Sequence, residues 1–184
     1  FTIQFGNSHH ISIIMTTPRD KPADVLYTDL ENELRTTRRM LERFPEGKND
    51  WRPHEKSMTL GRLAAHVAEI PGYGSMIIST PEMDFSKRAY TPAIYNTAEE
   101  LLAVFDQKVG ELRPMLDSFD SDAVSTPWSL RNGEQVFFTR PKGDLVRHMM
   151  LNHLIHHRAQ LGVYYRMLDV PLPGSYGPSA DEPM

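Results

Sequence analysis

Apolar positions recur at helical spacing in four long stretches of this chain. The first runs over residues 22–44, where Leu26, Leu30, Leu34, Leu41 and Phe44 fall on one face. Pro22 suits its first turn, Pro45-Glu46-Gly47 ends it, and Arg38, Arg39 and Arg43 read as a solvated face. The second covers 58–79, capped by Ser57 or Thr59, with Leu60, Leu63, Val67, Ile70 and Ile77 as its stripe. Pro71, with Gly72 and Gly74 beside it, predicts a kink there. The third covers 98–119 behind the capping box Thr97-Ala-Glu-Glu100, with Leu101, Phe105, Val109, Leu112, Leu116 and Phe119 turned inward. The fourth covers 143–168. At 100° per residue, Leu145, Val146, Met149, Leu161, Tyr164 and Leu168 share a stripe, opposite Arg147, Arg158, Arg166 and Asp169.

The joins are polar and rich in turn formers. Asn49-Asp-Trp-Arg-Pro53 is a loop in which Trp51 reads as a cap on the core. Pro81–Asn96, with Tyr90 and Tyr95, is a second loop. Trp128–Phe138 carries Asn132-Gly133 between two β-prone runs, which predicts a hairpin. Trp128, Phe137 and Phe138 read as its anchors, with a pocket mouth as the other reading. From Pro171 the tail is irregular and expected to lie across the end of the helices. The architecture expected is all-α: a four-helix bundle with a short β-hairpin excursion between helices three and four. Residues 1–14 read as a leader, with Met15 as a natural start, so 15–184 forms one domain.

Composition narrows the chemistry. Net charge is −4 with both signs mixed along the chain, so nucleic acid is not an expected partner. With no cysteine, disulfides, thiolate metal sites and a cysteine nucleophile are excluded. No apolar run has the length of a membrane span, and a cytoplasmic protein is the expectation.

Four of the eight histidines crowd into His148–Gln160. His153 and His157 lie in the fourth stripe, one turn apart, about 6 Å along the axis. At that spacing two imidazoles can converge on one ion at about 2 Å each. Core histidines satisfied by hydrogen bonds are the competing reading. The pair needs a third ligand. His66, at the edge of the second stripe, is the best candidate, being the only histidine outside the cluster on a buried helical face. Three imidazoles on two helices would leave open positions on an ion, a catalytic layout. Imidazole suits Zn, Ni, Fe or Cu. Glu69 could hold a water or orient His66, or simply face solvent; His156 sits at the stripe margin. His9 and His10 belong to the leader.

The ordered set Trp51-Arg-Pro53, Leu63-Ala-Ala-His-Val-Ala-Glu69, His153-Leu-Ile-His-His-Arg-Ala-Gln160 and Pro173-Gly-Ser-Tyr-Gly-Pro-Ser-Ala-Asp-Glu182 resembles the DinB-like (DinB/YfiT-type) metalloenzyme family. The resemblance covers nearly the whole chain from about Pro22. It implies a four-helix bundle, a homodimer, and a divalent ion, nickel or zinc first and iron next, on His66, His153 and His157. Members often read H-R-G-Q where this chain has His157-Arg158-Ala159-Gln160.

The function expected is metal-dependent chemistry on a small-molecule substrate. It is either a transferase using an external low-molecular-weight thiol, which the family implies, or a hydrolase activating water. Two non-enzymatic readings stand beside it: a stress-linked metal-binding protein, and a helical interaction module with hydrogen-bonded core histidines.

Overall fold

The structure is a computed structural model that describes residues 22–87 and 91–182, with side chains from Thr28 onward. Residues 1–14, with His9 and His10, Tyr90 and the Leu26 side chain lie outside the described residues.

The chain is mainly helical, with one small sheet. Helix α1 spans Pro22–Leu41. It stops three residues before the periodicity predicts, because the Arg43 and Phe44 N–H groups turn back to the Met40 and Leu41 carbonyls in a tightened last turn. The second predicted helix is two helices, α2 (Leu60–Glu69) and α3 (Pro71–Ser79). Pro71 has no N–H to continue the ladder. Ile70 keeps helical angles between them and donates to His66 O at 3.1 Å, so the chain kinks without leaving the helical path. Thr59, not Ser57, is the cap: its side chain accepts from Arg62 N.

Helix α4 (Ala98–Asp117) opens on Thr97, whose hydroxyl accepts from Glu100 N. The reciprocal half of the capping box is shifted, since Glu100 accepts from Asn96 N rather than from Thr97. The short α5 (Ser121–Ser125) follows. Leu30, Leu63, Ile70, Ile77, Leu101 and Leu112 are each at most 1 % exposed, and each contributes about 1.5–3 kcal/mol of hydrophobic stabilisation. Apart from Leu116, which is half-buried, the described members of the stripes read from the first three helices do form the core.

The predicted hairpin is present as β2 (Pro127–Asn132) and β3 (Gln135–Pro141). Its loop is Gly133-Glu134. Only Gly133 has positive φ, +57°, as a type II′ turn asks of its first central residue. The loop expected over 81–96 contains a third strand, β1 (Glu82–Asp84), parallel to β2 in the order β1-β2-β3. Three residues are too few to show alternation. What pins them is Asp84, which accepts from the Gly133 and Ser86 N–H groups and from the Ser86 hydroxyl. Those donors hold its carboxyl well below the usual range. Trp128 is the anchor, fully buried with its indole N–H on Thr80 Oγ1 at 3.1 Å, whereas Phe137 is half exposed against Phe85.

The last helix departs most from expectation. It begins as α6 (Lys142–Leu145), passes through a π-helical stretch over Val146–Asn152 and continues as α7 (His153–Met167). Each π turn holds more residues than an α turn, so a phase of 100° per residue fails across it. Met150, Leu151, Leu154, Leu161 and Tyr165 are buried, while Met149 and Leu168 are only half-buried. The histidine pair thus sits on the shoulder of the core rather than in its middle. Arg158 does face away from the pair, but it is 3 % exposed rather than solvated like Arg147 and Arg166. The tail is irregular, as expected. Glu182 pairs with Arg39 of α1 and with Arg43 in the turn after it, and Asp181 with Arg166 of α7.

Candidate metal centre

One half-buried row runs along α2 and into α3: Arg62, His66, Glu69 and Tyr73, at i, i+4, i+7 and i+11. It faces the start of α7, just after the π stretch ends. There His66 Nε2 lies 3.3 Å from His153 Nε2, and His157 Nε2 lies 2.8 Å from His153 Nε2. The three histidines offer ligand atoms all within 4.8 Å of one another, so they are positioned to bind a metal ion. The Tyr73 ring stacks on His153 with centroids 6.0 Å apart and also borders His66.

The outer ring nitrogens decide what the inner ones are. His153 Nδ1 is 3.3 Å from the Met149 carbonyl, which can only accept, so Nδ1 carries the proton. His157 Nδ1 donates likewise to Gln160 Oε1 at 2.7 Å. In both neutral rings Nε2 is then a bare lone pair. Two lone pairs 2.8 Å apart repel unless a cation lies between them. A proton is a poor cation here: burial lowers the affinity of all three rings, His66 to a pKa of about 3, with the neighbouring imidazoles and the Arg62 charge adding to it. A divalent ion fits. Nitrogens about 2.0–2.1 Å from one ion lie about 3.3 Å apart at tetrahedral angles and about 2.9 Å apart at right angles. His66 lacks an outer contact of this kind, for its Nδ1 is buried and takes no hydrogen bond.

Every predicted ligand is in this cluster. Glu69 does not hydrogen-bond His66 Nδ1; it pairs with Arg62 at 3.3 Å across the turn that holds His66. His156 is exposed, its ring 4.9 Å from that of His157. His148 is exposed too, bonded to the Asp144 carbonyl of its own helix. The sequence reading missed Arg62 and the role of Gln160. Both carried a signal: Arg62 precedes His66 by one turn, and Gln160 follows His157 by three residues.

The DinB family model matches residues 15–183, and the chain belongs to that family. Three solved structures share its fold. A DinB-like protein of Bacillus subtilis is 15% identical with a TM-score of 0.60, over 87% of this chain and 99% of that one. A DinB-like protein of Bacillus cereus is 18% identical with a TM-score of 0.60, over 83% and 97%. A protein assigned to the DinB family from Exiguobacterium sibiricum is 21% identical with a TM-score of 0.58, over 80% and 91%. No curated protein matches the chain. Among the described residues, no helix is long and apolar enough to cross a membrane.

Proposed function

We infer that this protein is a metal-dependent enzyme whose ion is held by His66, His153 and His157. In this reading α1, α2–α3, α4 and α6–α7 are the four members of a bundle, and the hairpin is an excursion from it. The observation that carries the reading is the convergence of three imidazole nitrogens, His153 Nε2 lying 2.8 Å from His157 Nε2 and 3.3 Å from His66 Nε2 while the outer Nδ1 atoms of His153 and His157 rest on acceptors.

The donor set is three neutral imidazoles, which suits zinc, nickel, iron or copper; the family resemblance puts nickel or zinc first and iron next. A divalent ion there supplies Lewis-acid chemistry: it lowers the pKa of a bound water or thiol, or polarises a substrate oxygen. The protein's own part is positional. Met149 O and Gln160 hold the tautomers of His153 and His157. Tyr73 walls one side, and Arg62 places a positive charge beside His66 and His157. Two reaction classes fit, transfer to or from an external low-molecular-weight thiol, and hydrolysis of a small molecule. The enzyme works as a cytoplasmic homodimer in this reading.

Elemental mass spectrometry on a tag-free protein beginning at Met15 tests it. About one ion per chain is expected, and almost none in His153→Ala/His157→Ala. A parent that stays empty after incubation with nickel, zinc and iron would return the cluster to core histidines.

A further inference from the structure

The helix that carries His153 and His157 changes pitch just before them. Over Val146–Asn152 the main-chain pairing runs five residues back, and over His153–Met167 it runs four back. A ladder that passes from five back to four leaves one carbonyl out. Here it is Met149 O: the His153 N–H, which would take it in an α-helix, donates to Met150 O instead. A carbonyl left out of the ladder needs another donor. The His153 ring supplies one. Helical side chains lean back over the preceding turn, and His153 Nδ1 lies 3.3 Å from Met149 O.

The other histidines show that this contact goes with the pitch. His148, inside the π stretch, rests its Nδ1 on Asp144 O at 2.7 Å. His66 and His157 stand in regular α-helix and make no such contact with the main chain. His66 Nδ1 is buried without a hydrogen bond, and His157 Nδ1 turns to the Gln160 side chain. The stretch is also held from below. Val146, Met150, Leu151 and Leu154 are each at most 3 % exposed. Five-back pairing takes in one residue more than α pitch, so winding the same residues tighter would turn α6 against α7 and lift side chains of this set off the core.

We propose that the π-helical stretch Val146–Asn152 is the device that makes His153 a metal ligand: it leaves the Met149 carbonyl to the His153 ring, which then carries its proton on Nδ1 and offers Nε2 to the ion. The affinity of the site is thereby set by the pitch of a helix turn that does not touch the ion. The proposal rests on the metal reading for the ion, and on the main-chain pairing alone for the tautomer. Because the acceptor is main chain, no side-chain substitution removes it, whereas the loss of one residue does.

The test reads metal-free protein, labelled with ¹⁵N and ¹³C, by nuclear magnetic resonance at pH 8, where the rings are neutral. His153 should carry its proton on Nδ1, with a coupling through the hydrogen bond to the Met149 carbonyl carbon. The His153 main-chain N–H should couple to the carbonyl of Met150 and not to that of Met149. Deleting the exposed Asn152 takes out the extra residue, so the ladder runs four back throughout and Met149 O goes to the Leu154 N–H. In that variant His153 should shift toward the Nε2–H tautomer, and zinc affinity, measured against a chromophoric chelator, should fall about 10–100-fold. His157, held by Gln160, should keep its Nδ1–H tautomer and so report an intact fold. A parent His153 ring protonated on Nε2, a parent His153 N–H bonded to Met149 O, or a folded deletion variant with the parent's tautomer and zinc affinity would each overturn the proposal. Should the deletion variant not fold, the two couplings in the parent decide. A parent that takes up no zinc would count against the metal reading alone, since the tautomers are read without metal.

Discussion

His66 and His153 stand 87 residues apart in the chain and bring their Nε2 atoms to 3.3 Å across the interface between α2 and α7. An ion shared across that interface cross-links two helices, so its binding stabilises the folded state. Ligand at 100 times its dissociation constant adds about 2.7 kcal/mol. Excess Zn²⁺ or Ni²⁺ should therefore raise the unfolding temperature of the parent by several degrees. In His66→Ala the two remaining ligands are on one helix and bridge nothing, and the same metal should leave the unfolding temperature nearly unmoved. Calorimetry with and without metal decides it; an equal rise in both proteins would remove His66 from the site.

Without metal the same cluster makes stability depend on pH. Burial holds His66, His153 and His157 below the ordinary histidine value, His66 at about 3. The unfolded chain therefore takes up protons first as the solution is acidified. Stability from these groups is fully present above about pH 6.5 and is lost as pH falls below it, by about 1.4 kcal/mol per unit for each fully shifted group. Urea midpoints of metal-free protein at pH 7, 6 and 5 should fall in that order. In His66→Leu the fall should be shallower. The series stops at pH 5 because the carboxyls of Asp84 and Asp181 are depressed too and contribute their own loss below about pH 4.

Much of this was legible in the residues. Leu101, Phe105, Val109 and Leu112 face the core as their spacing requires, because α4 is regular across that run. The convergence of His66 with His153 and His157 was legible for the same reason on α2 and α7. What spacing could not show was the change of pitch over Val146–Asn152, since no residue type marks a π turn as Pro71 marks the kink before α3. Strand β1 was hidden because its order comes from distant partners, Ser129 to Arg131 and the turn at Gly133, rather than from its own three residues. Arg158 was legible as a residue turned away from the histidines, but its partner was not, because Glu33 is 125 residues away in the chain.

Gln160 should tune the metal affinity without touching the ion. Its Oε1 accepts from His157 Nδ1 at 2.7 Å and so keeps Nε2 free of a proton. Gln160→Leu removes the acceptor and allows the other tautomer; zinc affinity should drop about 10–100-fold. Gln160→Glu supplies a stronger acceptor and should bind at least as tightly as the parent. Competition against a chromophoric chelator at pH 7 measures both, and an unchanged affinity in Gln160→Leu would show that the ring needs no orienting partner.

The ion pair behind the site should matter more to folding than its single contact suggests. Arg158, next in sequence to His157, lies 2.5 Å from Glu33 Oε2, with side chains only 3 % and 10 % exposed. Its guanidinium also donates to Glu33 O, to Thr37 Oγ1 and, from its other nitrogen, to the Tyr176 hydroxyl of the tail. Arg158→Met leaves the Glu33 carboxylate buried beside no cation, which costs about 3–5 kcal/mol. Adding Glu33→Leu removes the stranded charge as well. The double variant should then recover most of the loss, because a buried pair pays heavily in desolvation for what it gains in attraction. Urea unfolding of the parent, the two single variants and the double variant measures the coupling. Additive losses in the double variant would mean that Arg158 acts through its contacts with α1 backbone and Tyr176 rather than through the charge of Glu33.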